Sequence, residues 1–360
     1  MSPNNSGRLI FLDYMRVFAF VSVLIGHRFL IELTAAANNQ SFHITIRYFF
    51  EALIPLCTGA AGVVVFFITS GYIISHVLQK ETTTAFIIKR IFRIYPLYIF
   101  AVLCETFIDW YFNGTSVPPI SIMAPKLLLI GDFFDIPSAL NGVDWTLRIE
   151  ILFYVLMATF KSAGLFASQK LLPLVYLVVS IALYVAPAFP GAGHWNAAYV
   201  NAYSLFLFIG ALIYLSQQAL ASRAVCILVG SMLLLMFLIK ISEFQPNWKE
   251  SNYAIFSLAL FLGALHYAPR LKDGFVIRIL SDLTYSVYLF HNWIWQYIEK
   301  PVSNLGLNNI YSKLVIASIL FVICYVLHNT VEKFGLAAGK IAIKKYHLKT
   351  NNASIARPAN

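Results

Sequence analysis

Leu9-Ile10-Phe11-Leu12-Asp13-Tyr14-Met15-Arg16 opens an apolar stretch that passes through Gly26-His27-Arg28 to Leu33, and its reading decides the fold. The run is long enough to cross a bilayer core as a helix. Arg16 and His27 stand eleven residues apart, which makes three turns plus roughly 20°, so both project from one face about 16 Å apart along the axis. Asp13 shares that face. Ionisable groups in lipid are costly, and a set aligned on one stripe faces a polar cavity or a partner within the bundle. The bland alternative is a buried Asp13–Arg16 pair at i,i+3 with a histidine bonded to a neighbouring helix.

Outward from this helix the pattern repeats. The 360 residues are 59% hydrophobic and only 12% charged, about half the charge of an ordinary soluble chain. Apolar spans fall at 9–31, 58–79, 91–112, 145–160, 170–188, 198–216, 223–241, 251–268, 278–298 and 311–332. The fold class expected is therefore all-α, a polytopic integral membrane bundle of about ten transmembrane helices with both termini cytoplasmic. The bundle occupies 1–333, followed by a short basic cytoplasmic tail at 334–360 that faces solvent or lipid headgroups. Ala35–Ala37 resembles a signal-peptide cleavage site, but the run before it is long and interrupted by Arg16 and His27, so a retained first helix is expected.

The net charge of +10 needs no nucleic-acid partner. On an N-inside topology seventeen loop Lys and Arg, among them Arg8, Lys80, Lys161, Lys340 and Arg357, fall on the cytoplasmic side. Six, including Arg47, Lys126, Lys240 and Lys249, fall outside. This is the positive-inside asymmetry. Cys57, Cys104, Cys226 and Cys324 are scattered without CxxC spacing, which supports neither a disulfide framework nor a metal site. Two long outer loops are expected at 32–57 and 113–144. The second ends in Asn141-Gly142-Val143-Asp144, a turn with Asp144 placed to cap the next helix.

Four further segments carry polar groups within the bundle. Phe66-Phe67-Ile68-Thr69-Ser70-Gly71-Tyr72 offers small residues at Ser70 and Gly71, either for close helix packing or as a narrow passage for a thin ligand. Lys89-Arg90-Ile91-Phe92-Arg93 clusters three cations on one side of a helix end, suited to phosphate or to an anionic lipid flank. Trp145-Thr146-Leu147-Arg148-Ile149-Glu150 places Thr146, Glu150 and Tyr154 on one face, and Asp144 with Arg148 as a separate i,i+4 pair. Glu150 is expected at the depth of His27, as its orienting carboxylate or as a partner of Arg28. Thr284, Tyr288, His291 and Trp295 form one stripe, either a hydrogen-bonded inner packing seam or part of a hydroxylated-substrate path, with His291 expected to be a packing residue.

Together these segments resemble the membrane-bound acyltransferase 3 family. Arg16 and His27 match its Arg-x10-His signature. The segments at 66–72 and 89–96, Trp145 to Glu150, Tyr285 to His291, and Val331-Glu332-Lys333 resemble its later elements in order. Tyr72 departs from a commoner Phe, and Tyr285-Ser286 reverses the usual Ser-Tyr. The resemblance is to stand-alone members without a fused soluble esterase-like domain.

It implies transfer of an acyl group, commonly acetyl, from acyl-CoA to a carbohydrate or lipid-linked glycan hydroxyl at the cell membrane (the inner membrane of a bacterium). No resident cofactor or metal is implied; acetyl-CoA is the donor substrate, and membrane lipids are the surroundings. His27 would be the base or a transient acyl carrier, with Glu150 orienting it and Arg16 binding donor or stabilising charge. Asp13, Ser70, Gly71, Lys89, Arg90, Arg93, Trp145 and Tyr288 would line the substrate path. The competing class is a transporter or flippase of a lipid-linked sugar, since intramembrane Arg, His and Glu serve transport too. A non-catalytic assembly subunit is the third class.

Overall fold

The computed structural model describes residues 8–191, 197–247 and 251–355. Lys249 and Arg357, both counted in the charge asymmetry, lie outside them. Among the described residues the chain is helical without strands. The elements that position the site are α1 (Ile10–Arg28), α2 (Leu30–Asn38), α3 (Ile44–Leu53), α4 (Ala60–Leu78), α5 (Thr83–Asn113), α6 (Ile120–Leu127), α7 (Trp145–Ser162) and α8 (Leu172–Val185). They continue as α9 (Tyr199–Gln217), α10 (Arg223–Ile241), α11 (Tyr253–His266), α12 (Phe275–Phe290), α13 (Trp295–Ser303), α14 (Asn309–Leu327) and α15 (Lys333–Ile355).

Seven helical segments are long and apolar enough to cross a membrane: α1, α4, α5, the stretch 165–185, α9, α10 and 309–348. The other three expected spans are helical but fall short by a physical measure. α7 carries Arg148, Glu150 and Lys161 in 18 residues. α11 has 14 residues. The span expected at 278–298 is broken: α12 stops at Phe290, a turn follows, and α13 resumes at Trp295. That break is tertiary in origin. The Arg28 guanidinium donates to both the Asn292 carbonyl, at 2.5 Å, and its side-chain oxygen, at 2.6 Å, drawing the chain out of the helix.

Small residues set the helix spacing at the centre. A side chain added to Gly71 would strike the Leu207 carbonyl of α9, and one at Gly210 of α9 would strike the Ile68 carbonyl of α4. Gly62 lies against the Ala19 carbonyl in the same way, and Gly26 against the backbone of Gly59. Without a hydrophobic drive between helices in lipid, such backbone-to-backbone packing supplies the dispersion contacts that hold a bundle together. α4 is thereby enclosed by α1, α9 and α11, with 72% of its apolar window buried.

The helix ends gather into two layers. At one end Arg8 reaches Asp282 at 3.0 Å, Gln169 donates to Gln79 at 2.6 Å, and Lys161 donates to the carbonyls of Leu78 and Glu81. At the other end Lys313 pairs with Glu32 at 2.6 Å. There too the Glu105 carboxylate accepts from the backbone of Leu140 and Asn141, at 2.7 and 2.9 Å. The loop before α7 is pinned by a buried ion network in which Arg148 bridges Asp144, at 2.8 Å, and Asp132. The i,i+4 pair is thus present, but Asp144 sits at the helix N-cap without making a capping bond. Its carboxylate is spent on Arg148 and on the backbone of Ala139 at 3.0 Å.

Candidate functional site

Three hollows lie in series through the bundle. At the end that gathers Arg8 and Lys161, a groove of about 250 Å³ is lined by Lys89, Arg90, Arg93 and Lys340. Arg90 and Arg93 also line a second, inner cavity of about 240 Å³, with Arg16, Ser70, Glu150 and Tyr288. That cavity shares Val23, Val63 and Tyr288 with an outer vestibule of about 750 Å³, which holds His27, Trp145, Asn292 and His291. Tyr288 stands at the junction. Its ring stacks on Phe66 at 6.0 Å, and its hydroxyl bonds Thr146 at 2.6 Å and the Val143 carbonyl at 3.2 Å.

The inner cavity brings together residues from α1, α4, α5 and α7. Arg16 is partly exposed to it and is held by Asp13 at 3.3 Å. The Ser70 hydroxyl donates to Glu150 at 2.8 Å across the α4–α7 contact. Arg93 has no hydrogen bond or ion pair among the described residues; Arg90 lies over the rings of Phe86 and Tyr154, its Nε buried without a partner. Guanidinium groups left without carboxylates at a cavity mouth are suited to an anion.

Asp13 stays out of this cavity. Its oxygens are taken by Arg8 at 2.5 Å, Arg16, and the Ser281 hydroxyl at 2.8 Å, so it ties the chain start to α12 rather than lining a substrate path. Gly71 also turns away, with its bare face filled by α9. Lys89 belongs to the groove, where it reaches Glu81 at 2.5 Å.

The vestibule changes the expected histidine chemistry. Glu150 does not share the depth of His27. A side chain at Gly59 would lie 3.9 Å from the His27 ring. Ser70, the partner of Glu150, is eleven residues further along α4, about 16 Å deeper in the bundle. The ring that meets His27 is that of His291, edge-on with centroids 5.1 Å apart.

His291 is buried, 1% exposed, so packing is part of its role, but it packs on the vestibule histidine. Its Nδ1 lies 2.7 Å from the Tyr288 carbonyl oxygen. A carbonyl only accepts, so Nδ1 carries the proton and Nε2 is an acceptor, buried with no partner among the described residues. His27 is exposed to the vestibule and makes no side-chain hydrogen bond to a described residue, so its ring nitrogens are open to a bound molecule. The expected pairing of Glu150 with Arg28 is absent as well. Arg28 instead grips Asn292 and covers the Trp295 ring at 5.0 Å.

The series thus carries cations at one mouth, a carboxylate and Arg16 midway, and a histidine pair among aromatic and amide side chains at the other mouth. Arg28, Asn292 and Lys340 were not legible as site residues in the sequence, because each reaches the site through a turn or helix crossing that no local period announces.

A family model described as an acyltransferase domain matches residues 9–329. The chain is similar to acyltransferase MdmB of Streptomyces mycarofaciens, 23% identical over 298 residues that cover 73% of this chain and 77% of that protein. No solved structure matches the chain.

Proposed function

This chain belongs to the acyltransferase family, and from that premise we propose that it carries an acetyl group from cytosolic acetyl-CoA to a carbohydrate hydroxyl at the outer face of the cell membrane. One observation carries the reading: the inner cavity and the vestibule meet at Val23, Val63 and Tyr288, with unpaired arginines at one mouth and His27 at the other. The donor's phosphates would sit against Arg90 and Arg93, and its pantetheine arm would pass Arg16, Ser70 and Glu150. The roughly 16 Å from Arg16 to His27 is then the length that the arm has to cover.

In the vestibule His27 takes the proton of the acceptor hydroxyl as its oxygen attacks the thioester carbonyl. The tetrahedral intermediate collapses with loss of the CoA thiolate, which takes the proton back from His27. His291, packed edge-on against His27 with ring centroids 5.1 Å apart, sets how that ring sits in the vestibule and leaves its nitrogens free to act as base; it is a positioning residue. Trp145, Tyr199 and Tyr203 offer flat apolar faces, and Asn141, Asn292 and Gln245 offer amides. That combination suits the faces and hydroxyls of a sugar ring.

The layering of helix ends supports ten crossings with both termini cytoplasmic. Arg8, Lys161 and Arg278 share one layer, and a basic layer is the cytoplasmic one.

A carrier for a polar solute would use the same passage, so the decisive measurement is chemical. Purified full-length protein is incubated with acetyl-CoA labelled in the acetyl group and a mixture of methyl hexosides. Free thiol and labelled ester appearing together support acyl transfer. A wild-type protein that moves hexosides across proteoliposomes without releasing thiol overturns it in favour of transport.

A further inference from the structure

The family match ends at residue 329, yet the polypeptide beyond it does not leave the bundle as a solvated tail. A π-turn at His328–Glu332 carries α14 into α15. Its Glu332 is buried and accepts from Ser286 at 3.0 Å, which fixes where α15 starts. α15 then lies directly on α5. A side chain at Gly335 would stand 2.7 Å from the Pro96 ring and 2.8 Å from the Phe92 carbonyl, and one at Gly339 would stand 2.8 Å from Phe92 Cβ. Only bare positions one turn apart permit that approach.

The residue after Gly339 is Lys340, and the crossing places it on the groove of about 250 Å³ with Lys89, Arg90 and Arg93, between apolar walls that include Leu336 and Ile343. Among the described residues no carboxylate lines this groove. Lys89 has Glu81, but Arg93 and Lys340 have no ion pair among the described residues. Of the four cations drawn together by helix packing only Lys89 has a carboxylate; Arg90, Arg93 and Lys340, without local neutralisation, repel one another until an anion lies between them. Because Arg90 and Arg93 also line the inner cavity, an anion in the groove is continuous with a chain entering that cavity.

We propose that α15 is the outer wall of the donor site, with Lys340 contributing a cation to the phosphates at the nucleotide end of acyl-CoA. This rests on the acyl-CoA reading above for the identity of the ligand; the phosphate chemistry itself is read from the groove. A lipid headgroup would offer the same phosphate, and the experiment separates the two.

Adenosine 3′,5′-bisphosphate, the nucleotide fragment without thioester or pantetheine, is titrated calorimetrically into full-length protein in phosphatidylcholine nanodiscs. Lys340 is exposed, so Lys340→Gln removes charge without disturbing packing. Lys345→Gln, an exposed cation of the same helix that does not line the groove, is the charge control. Lys340→Gln should weaken bisphosphate binding roughly fivefold, as expected for one partly solvated charge-assisted contact. It should also raise the KM for acetyl-CoA by a similar factor with kcat unchanged, and leave the KM for S-acetylpantetheine where it was. Lys345→Gln should match the wild type throughout.

Equal bisphosphate affinity in wild type and Lys340→Gln overturns the proposal, as does an equal effect of Lys345→Gln. A Lys340-dependent preference for phosphatidylglycerol over phosphatidylcholine, with no effect on bisphosphate, assigns the groove to a lipid headgroup and also overturns it. Lys340-dependent bisphosphate binding in a protein that never releases thiol from acetyl-CoA leaves the groove standing and sinks the acyl-transfer reading instead.

Discussion

His27→Ala separates chemistry from architecture more cleanly than any other change in this bundle. The His27 side chain opens into the vestibule and has no hydrogen bond to a described residue, so its removal leaves no partner stranded. Exposed substitutions of that kind stay within about 0.5 kcal/mol in stability. The unpaired arginines of the donor mouth lie along the inner cavity that Arg16 lines, about 16 Å below by the rise of α1, so donor affinity should not change.

The rate is another matter. A positioned base contributes about 10²–10⁴-fold, which corresponds to about 2.7–5.5 kcal/mol on the barrier. The variant should therefore insert, melt within experimental error of the wild type and bind acetyl-CoA normally. It should transfer acetyl at no more than about one hundredth of the wild-type rate. Labelled acetyl-CoA with quenched sampling gives the rate, and light scattering on heating gives the stability. Near-wild-type transfer refutes the assignment of the base. Loss of rate with an equally large loss of thermal stability refutes it too, since His27 would then be a packing residue.

Four other outcomes follow from the same geometry. His291→Leu exchanges one hydrogen bond, worth about 0.5–1.5 kcal/mol, for relief of a buried unpaired nitrogen costing about 1–3 kcal/mol, so thermal stability should hold or rise. Its kcat should nonetheless fall at least tenfold with donor KM unchanged and be partly restored in His291→Asn; an unchanged kcat removes it as a positioning residue. Arg90→Gln with Arg93→Gln should raise the KM for acetyl-CoA, each lost charge-assisted contact being worth about 1.5–3 kcal/mol, while acceptor dependence stays flat; an unaltered donor KM would make them plain flanking charges. Gly71→Ala should cost about 1–3 kcal/mol by overpacking against Leu207, whereas Gly263→Ala, where an added methyl meets nothing within 4 Å, should be neutral; steric-trapping measurements in bicelles that rank the two equally would contradict the close α4–α9 contact. Reporter fusions after residue 240 and at the C-terminus should report opposite sides of the membrane, and agreement between them would overturn the ten-crossing topology.

The family and the helical class were legible because they are properties of one dimension. Apolar length, the period that aligns Arg16 with His27, and the ordered short segments from Phe66 to Glu332 are read along the chain without knowing which helix meets which. The seven long apolar helices follow from that reading. Where a span depended on neighbours, it was less legible. α12 ends at Phe290 because Arg28, more than 260 residues earlier in sequence, binds Asn292. The C-terminal residues looked like a basic tail because Gly335 and Gly339 signal close packing only once Phe92 and Pro96 are known to face them.

For the site, the sequence by itself determined which residue types are placed in an expensive environment: Arg16, His27, the Arg90/Arg93 cluster, Glu150 and Tyr288 all line the hollows that the helices enclose. Helical period fixes the face and spacing within one helix, and that much transfers directly to space. Only the tertiary structure decided the partners. Depth across helices depends on where each helix starts and how it slides on its neighbour, and here Gly26 against Gly59 and Gly62 against Ala19 set the register of α1 on α4. That register puts Glu150 with Ser70, three turns below His27, and puts His291 beside it instead.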